Sequence, residues 1–226
     1  MAKYLVVGGS KGIGAAIVEQ LLQLGHDVIV FSRSKPNSNS VEWHQIDVTT
    51  TISFPVIDYL DGLVYCPGSI NLKPLNRLST DDFLKDLNIN FLSAVKVFQN
   101  YLPLIKKSSQ ASVIFFSTVA VIQGMPFHAS ISAAKASLEG FARSAAAELA
   151  PAVRVNVVAP SLTDTPLASV LLNTDAKKEN AANRHPLKRV GSVADIAQAA
   201  VYLLTEAKWT TGQVLHVDGG MSTLKV

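Results

Sequence analysis

Tyr4-Leu5-Val6-Val7-Gly8-Gly9-Ser10-Lys11-Gly12-Ile13-Gly14-Ala15-Ala16-Ile17 passes from an apolar strand, through a glycine-dense bend, directly into a helix. Leu5 to Val7 predict the strand. Gly8, Gly9, Gly12 and Gly14 crowd one turn, and such a turn lets the backbone approach a pyrophosphate and aims the helix N-terminus at it. Ile17, Leu21 and Leu24 then recur at helical spacing. The order of strand, loop and helix is right for a dinucleotide site, with a ligand-free helix-entry turn as the alternative that the rest of the chain has to decide.

Composition bounds the answer before the rest is read. The 226 residues are 48% hydrophobic and 16% charged, enough to bury a substantial core and most simply one domain spanning 1–226. Mean hydropathy of +0.27 suits a parallel sheet covered on both faces. A net charge of +3, with no basic run interleaved with aromatics, gives nucleic-acid binding no support. Cys66 is the only cysteine, which excludes an intrachain disulfide and fits a reducing compartment. The start of the chain is too polar for a signal peptide, and no apolar run approaches the ~18 residues a membrane span needs, so the expected location is the cytoplasm. His26, His44, His185 and His216 are scattered, and no metal site is expected.

Further segments agree with the first in order. The spacing Gly8-xxx-Gly12-Ile13-Gly14, the strand-and-turn Leu60 to Ser69, Asn90 within a helix, Lys135, Arg154 to Pro166 (RVNVVAPSLTDTP) and Thr211 to Gly220 (TGQVLHVDGG) together resemble the short-chain dehydrogenase/reductase family over nearly the whole chain. The resemblance implies a single doubly wound α/β domain, a Rossmann fold with a parallel seven-stranded sheet, that binds a nicotinamide dinucleotide. It also implies a variable substrate lid over about 161–190 and a homo-oligomer, a dimer or a homotetramer, with the helix from Ala133 to Leu149 as a dimer face.

The choice of dinucleotide is read after the second strand, Val28 to Phe31. An acidic residue there would bind the ribose hydroxyls of NAD and repel a 2′-phosphate. This chain has Ser32 and Arg33 instead, and Lys11 adds a second positive charge inside the glycine loop. A guanidinium grips phosphate with a fork of donors, so the expected cofactor is NADP(H). On the resemblance its contacts are Gly8, Ser10, Lys11, Gly12, Ile13, Ser32, Arg33, Asp47, Val48, Gly68, Lys135, Pro160, Thr163 and Thr165. Asp47 and Val48 fall beside the adenine, and Thr163 and Thr165 at the carboxamide and phosphates. Val41 to Ile46 predict a third strand, and Pro55 interrupts the segment after it, where the family's usual helix looks trimmed. Tyr65-Cys66-Pro67-Gly68 stands where the family has Asn-Asn-Ala-Gly. Ser79 with Asp82 reads as a cap, and Phe83, Leu87, Phe91, Ala94 and Phe98 as one helical stripe carrying Asn90.

The chemistry should sit around Lys135. In the family a tyrosine four residues earlier protonates the substrate oxygen while the lysine lowers its pKa and holds the ribose; here that position is Ile131. Isoleucine cannot transfer a proton, and a positioned general acid is worth ~10² to 10⁴ in rate. The family's interval places the serine-type hydroxyl on Thr118, with Ser117 its neighbour. His128 is seven residues before Lys135, about 20° away in direction and ~10 Å along the axis. That is where the enoyl reductase branch carries its tyrosine. Histidine titrates near neutrality, so His128 is a candidate acid, with a cap or a solvated side chain as the alternative, and Ser132 is a weaker candidate. The leading expectation is an NADP-dependent oxidoreductase that reduces a carbonyl or acyl substrate with a non-standard proton donor. The alternative is a cofactor-binding sensor or inactive partner subunit. Leu171, Leu172, Lys177, Lys178, Arg184 and Lys188 in the lid suit either an acidic or carrier-linked acyl substrate or a solvated face.

Overall fold

A computed structural model describes residues 1–225. In chain order its elements are β1 (Lys3–Val7), α1 (Gly12–Gln23), β2 (Asp27–Ser32), β3 (Glu42–Gln45), β4 (Gly62–Tyr65), α2 (Thr80–Leu87), α3 (Ser93–Ile105), β5 (Ser112–Phe116), α4 (Ala129–Leu149), β6 (Arg154–Pro160), α5 (Asp175–Asn183), α6 (Val193–Thr205) and β7 (Val214–Val217). The central strands read as unbroken apolar runs because both faces of the sheet are covered. The sheet has seven strands in the order β3-β2-β1-β4-β5-β6-β7, with every pairing parallel. This is one doubly wound domain.

Alternation along each strand divides the interior into two layers. Leu5, Val7, Phe31, Tyr65, Phe115 and Val157 face α3 and α4 with Phe98, Leu138 and Leu149. Val6, Val30, Val64, Ile114 and Val158 face α1 and α6 with Ile17, Leu21, Ile196 and Leu203. Leu24, included in the helical stripe from spacing alone, is instead the half-exposed cap residue of α1. The β3–β4 connection has no helix, as its interrupted pattern suggested. Val48, Ile57 and Leu60 close that edge of the core, and Tyr101 donates to the Pro55 carbonyl at 2.8 Å.

The crossovers leave β1 in opposite directions, so a crevice opens where the C-terminal ends of β1 and β4 lie side by side. The glycine bend and the Tyr65–Gly68 turn meet there. A Cβ added to Gly8 would lie 3.2 Å from Pro67 Cδ and 3.3 Å from Cys66 Cβ.

The stripe expected from Phe83 to Phe98 is not one continuous α-helix. A π-helical turn at Asn88–Leu92 separates α2 from α3, and the Tyr65 hydroxyl donates to the Ile89 carbonyl inside it at 2.8 Å. The extra residue rotates the buried face. Asp82, Asp86 and Asn90 are the buried positions before and within the turn, while Phe83, Leu87 and Phe91 are only partly covered. Such turns recur at functional sites because they redirect a side chain without ending the helix.

Candidate active site

The glycine loop is built for a ligand that touches backbone. Gly8 and Gly12 have φ of +79° and +56°, a region that side chains other than glycine rarely adopt. A Cβ on Gly14 would lie 2.3 Å from the Gly8 carbonyl oxygen. The first N–H groups of α1, at Gly12, Ile13 and Gly14, have no partner within the helix. No side chain caps them, and no acidic residue occupies the first turn. Free N–H groups and the positive end of the helix dipole there can hold an anion. The start of the lid lies over it: Thr165 and Pro166 atoms are 3.6 to 3.8 Å from where a Gly12 Cβ would be.

At the end of β2 the side chains divide their work. Ser32 is buried; its hydroxyl donates to the Ser34 carbonyl at 2.7 Å and accepts from Trp43 Nε1 at 3.0 Å. Its proton is therefore committed inside the protein. Ser34, which sequence reasoning passed over, pairs with Ser10 at 3.1 Å and joins the glycine loop to the end of β2. Arg33 and Lys11 are exposed, and neither forms an ion pair among the described residues. Asp47 accepts from the Thr49 hydroxyl at 2.6 Å and the Thr49 N–H at 3.0 Å, and these bonds hold its carboxyl below the usual carboxylate range. Val48 beside it is buried.

Across the crevice stand the residues expected to do chemistry. Lys135 is 7% exposed, and its Nζ donates to the Phe116 carbonyl at the end of β5 at 2.7 Å. Burial pushes its pKa down to about 8, with Cys66 and Asp86 acting against that shift. Burial also pushes the Cys66 thiol up to about 12. Asn90 is fully buried. A Cβ on Gly68 would sit 3.1 Å from Asn90 Oδ1 and 3.6 Å from Lys135 Nζ, so glycine keeps this corner open. Asn90 Oδ1 is buried without a hydrogen-bond partner, and an orphaned acceptor of this kind costs free energy unless a ligand or water supplies a donor.

Ile131 is buried one turn before Lys135 on α4. Thr118, at the N-terminus of the short 3-10 turn Val119–Val121, accepts from Ala120 N–H through its side chain, which leaves its proton free to donate. Ser117 is different: it is buried and donates to Glu139 at 2.6 Å, so its hydroxyl is structural. Ser132 donates to the Ala120 carbonyl at 2.8 Å. His128 is the N-cap residue of α4, with Nδ1 2.7 Å from the Pro126 carbonyl. A carbonyl only accepts, so Nδ1 carries a proton and Nε2 is the nitrogen available for exchange.

The exit of β6 supplies the other wall. Thr163 is buried and donates to the Ser161 carbonyl at 3.0 Å. Thr165 caps the 3-10 turn Pro166–Leu171 and lies beside Gly12, and Pro160 ends β6. Ser161 meets the buried His185 at 2.8 Å, and His185 Nδ1 is 2.8 Å from the Ala181 carbonyl, which ties α5 to β6. A small cavity of about 110 Å³ lies beside this pair. The lid cations are exposed, with Lys177 and Lys188 turned onto local oxygens, as a solvated face would have them. Among the described residues no group of His, Cys, Asp and Glu could hold a metal, and no helix is long and apolar enough to cross a membrane.

Comparison with known proteins bears on this arrangement. The profile of the family described as Enoyl-(Acyl carrier protein) reductase matches residues 7–222. A 3-oxoacyl-[acyl-carrier-protein] reductase from Aquifex aeolicus is 31% identical over 96% of this chain and 96% of its own. A tropinone reductase homolog from Datura stramonium is 30% identical over 96% of this chain and 90% of its own. Among solved structures, a Thermoplasma acidophilum aldohexose dehydrogenase superposes with a TM-score of 0.90 at 24% identity, covering 99% of this chain and 95% of that one. ElxO, solved with NADP bound, gives 0.86 at 25% identity and covers 99% of this chain and all of its own.

Proposed function

The chain belongs to the short-chain dehydrogenase/reductase family, and from that premise we propose that it is an NADP(H)-dependent oxidoreductase of a carbonyl or acyl substrate. The observation that carries the reading is the corner formed by Lys135, Asn90 and Gly68, where a buried ammonium and an unpartnered buried acceptor face the crevice beside an uncapped glycine loop. A nicotinamide cofactor bound there supplies the hydride. Gly8, Ser10, Gly12 and Ile13 receive its pyrophosphate through backbone and hydroxyl donors, and Lys11 and Arg33 take the 2′-phosphate. Ser32 shapes that loop without donating outward. Asp47 and Val48 border the adenine, Pro160, Thr163 and Thr165 the nicotinamide end, and Lys135 holds the ribose.

Thr118 orients the substrate oxygen, since its hydroxyl proton is not claimed by the Ala120 contact. His128 supplies the proton that the missing tyrosine would have given: the Pro126 carbonyl holds Nδ1–H, leaving Nε2 to carry the second proton. The protein works in the cytoplasm, where its single thiol stays reduced, and the alanine-rich outer face of α4 packs against a second copy.

The test is a titration of the purified protein with NADPH and NADH, followed by absorbance at the nicotinamide band with small ketones and acyl thioesters. Saturable NADPH binding with substrate-dependent oxidation is expected, and His128→Ala should lower that oxidation ~10²-fold or more. Turnover unchanged in His128→Ala would remove the histidine from the mechanism. Tight binding with no oxidation of any compound would replace the enzyme by a sensor.

A further inference from the structure

Immediately after Gly68, at Ser69, and one turn before Asn90, at Asp86, the crevice wall carries polar groups that the reading above does not use. Asp86 is a carboxylate only 2% exposed, and it makes no ion pair among the described residues. It accepts from the Ser69 hydroxyl at 2.6 Å and from Asn71 Nδ2 at 3.5 Å. A buried carboxylate without a cation is costly unless its charge serves its surroundings.

The directions of these hydrogen bonds are fixed. Asn90 Nδ2 donates to Ser69 Oγ at 2.8 Å and to the Asp86 carbonyl at 2.9 Å. Both amide hydrogens are thereby committed, so the amide cannot flip and Oδ1 must face the gap beside Gly68 and Lys135. Ser69, accepting from Asn90, sends its own proton to Asp86. The chain runs Asn90 to Ser69 to carboxylate, polarised toward the negative end.

We propose that Asp86 is a positioning residue for the reaction site: through Ser69 it fixes the amide of Asn90 beside Lys135, and it places a carboxyl group one hydroxyl away from that corner. The proposal rests on the reading that Lys135 and Asn90 belong to that site. Each element packed around Lys135 bears on it. From the end of β4 comes the Cys66 thiol, held neutral because burial pushes it up to about 12. The end of β5 presents the Phe116 carbonyl, which has no charge. On α4 itself, Glu139 is turned to Ser117 and Arg143, and His128 is at the N-cap, bonded to Pro126. Asp86, from α2, brings the remaining carboxyl group, and it acts to raise the lysine against the effect of burial.

The experiment follows Lys135 directly. Protein labelled with 13Cε-lysine is titrated by NMR, the resonance being identified by its loss in Lys135→Arg. In Asp86→Asn the lysine should titrate at least about half a pH unit lower than in the native protein, because an opposing charge has been removed. Asp81→Asn, an exposed change on the same helix, should leave it where it was. An Asp86→Asn protein that is folded and whose Lys135 titrates as in the native chain overturns the proposal. If Asp86→Asn does not fold, Ser69→Ala keeps the carboxylate and breaks the link. The Asn90 side-chain N–H signals, identified by their loss in Asn90→Ala, should then exchange with solvent at least about ten-fold faster, and unchanged exchange overturns it. Neither measurement needs cofactor or substrate, so a protein that fails to turn over would sink the proposed function and leave this inference standing.

Discussion

Lys135 is where the physical tension of the molecule is concentrated. Its folded pKa of about 8 is below the ordinary lysine value of 10.5, so between these two pH values the unfolded chain binds more protons than the folded one. Stability contributed by this group therefore rises with pH across that window, and below it the full cost of burying the charge is present. Lys135→Met should raise the melting temperature at pH 7, by ~1 to 3 kcal/mol of stability or about 2 to 9 °C, and remove the rise between pH 8 and 10.5; calorimetry at pH 7 and 10 checks both. Activity should be lost in the same variant, a separation of stability from function expected of a site residue. Ile131 makes the complementary argument. It occupies the place of a tyrosine, one turn from Lys135 and buried, so Ile131→Tyr should restore an acid beside an ammonium that can lower its pKa. Turnover of NADPH with the best ketone or thioester should increase ~10²-fold or more, read as the initial slope of nicotinamide absorbance. Lys135, Asn90, Thr118 and Ile131 were singled out through the family resemblance, whereas Asp86 and Ser69 were not, because nothing local says that a turn after β4 and a face of α2 come within 2.6 Å of each other. One signal was present: Asp82, Asp86 and Asn90 recur at four-residue spacing, a polar stripe on a helix otherwise read by its aromatics.

Three helices, α2, α5 and α6, begin where a side chain satisfies a free N–H group of the first turn. Ser79 and Ser192 both form complete capping boxes, with Asp82 and Asp195 as the reciprocal partners. Hydrogen bonds and ion pairs from Lys73 and Arg189 hold both carboxyls well below the usual carboxylate range. Ser79→Ala should cost ~1 kcal/mol, measured as a lower urea midpoint with an unchanged slope. The stability both carboxylates contribute is present above their unfolded pKa and is lost as pH falls toward the folded values, so the cost of Ser79→Ala should differ between pH 6 and pH 3. The first of these caps was readable as a residue pair three apart. The π-helical turn between α2 and α3 was not, because apolar spacing continues through it and the carbonyl that marks it is engaged by Tyr65 from another strand. α1, like α4, starts without a side-chain cap, and in the proposed enzyme the cofactor's pyrophosphate takes that place at α1.

Across the whole molecule, the order of strands brings together groups from distant parts of the chain. Lys11 follows β1 and Arg33 follows β2, and the parallel pairing of those strands puts both cations at one end of the sheet. Lys11→Ala with Arg33→Ala should weaken NADPH binding ~10² to 10³-fold, since a charge-assisted hydrogen bond contributes ~1.5 to 3 kcal/mol, and should change NADH binding little; fluorescence titration with both cofactors decides it. Equal weakening of the two would show that these cations serve the loop and not the phosphate. The fold was legible in the sequence alone, through apolar runs of strand length, helical stripes between several of them, the glycine bend after β1 and the family resemblance that orders these segments. Those signals are local, because periodicity and turn chemistry act within a few residues of one another. What only the tertiary structure decided is which polar groups face each other across the crevice. The direction of Asn90 Oδ1, the committed protons of Ser32 and Ser117, and the buried carboxylate of Asp86 each depend on a partner from another part of the chain. Hydrogen bonds and buried charge are settled by distance in space, and the pattern of hydrophobic residues along a chain carries no record of that distance.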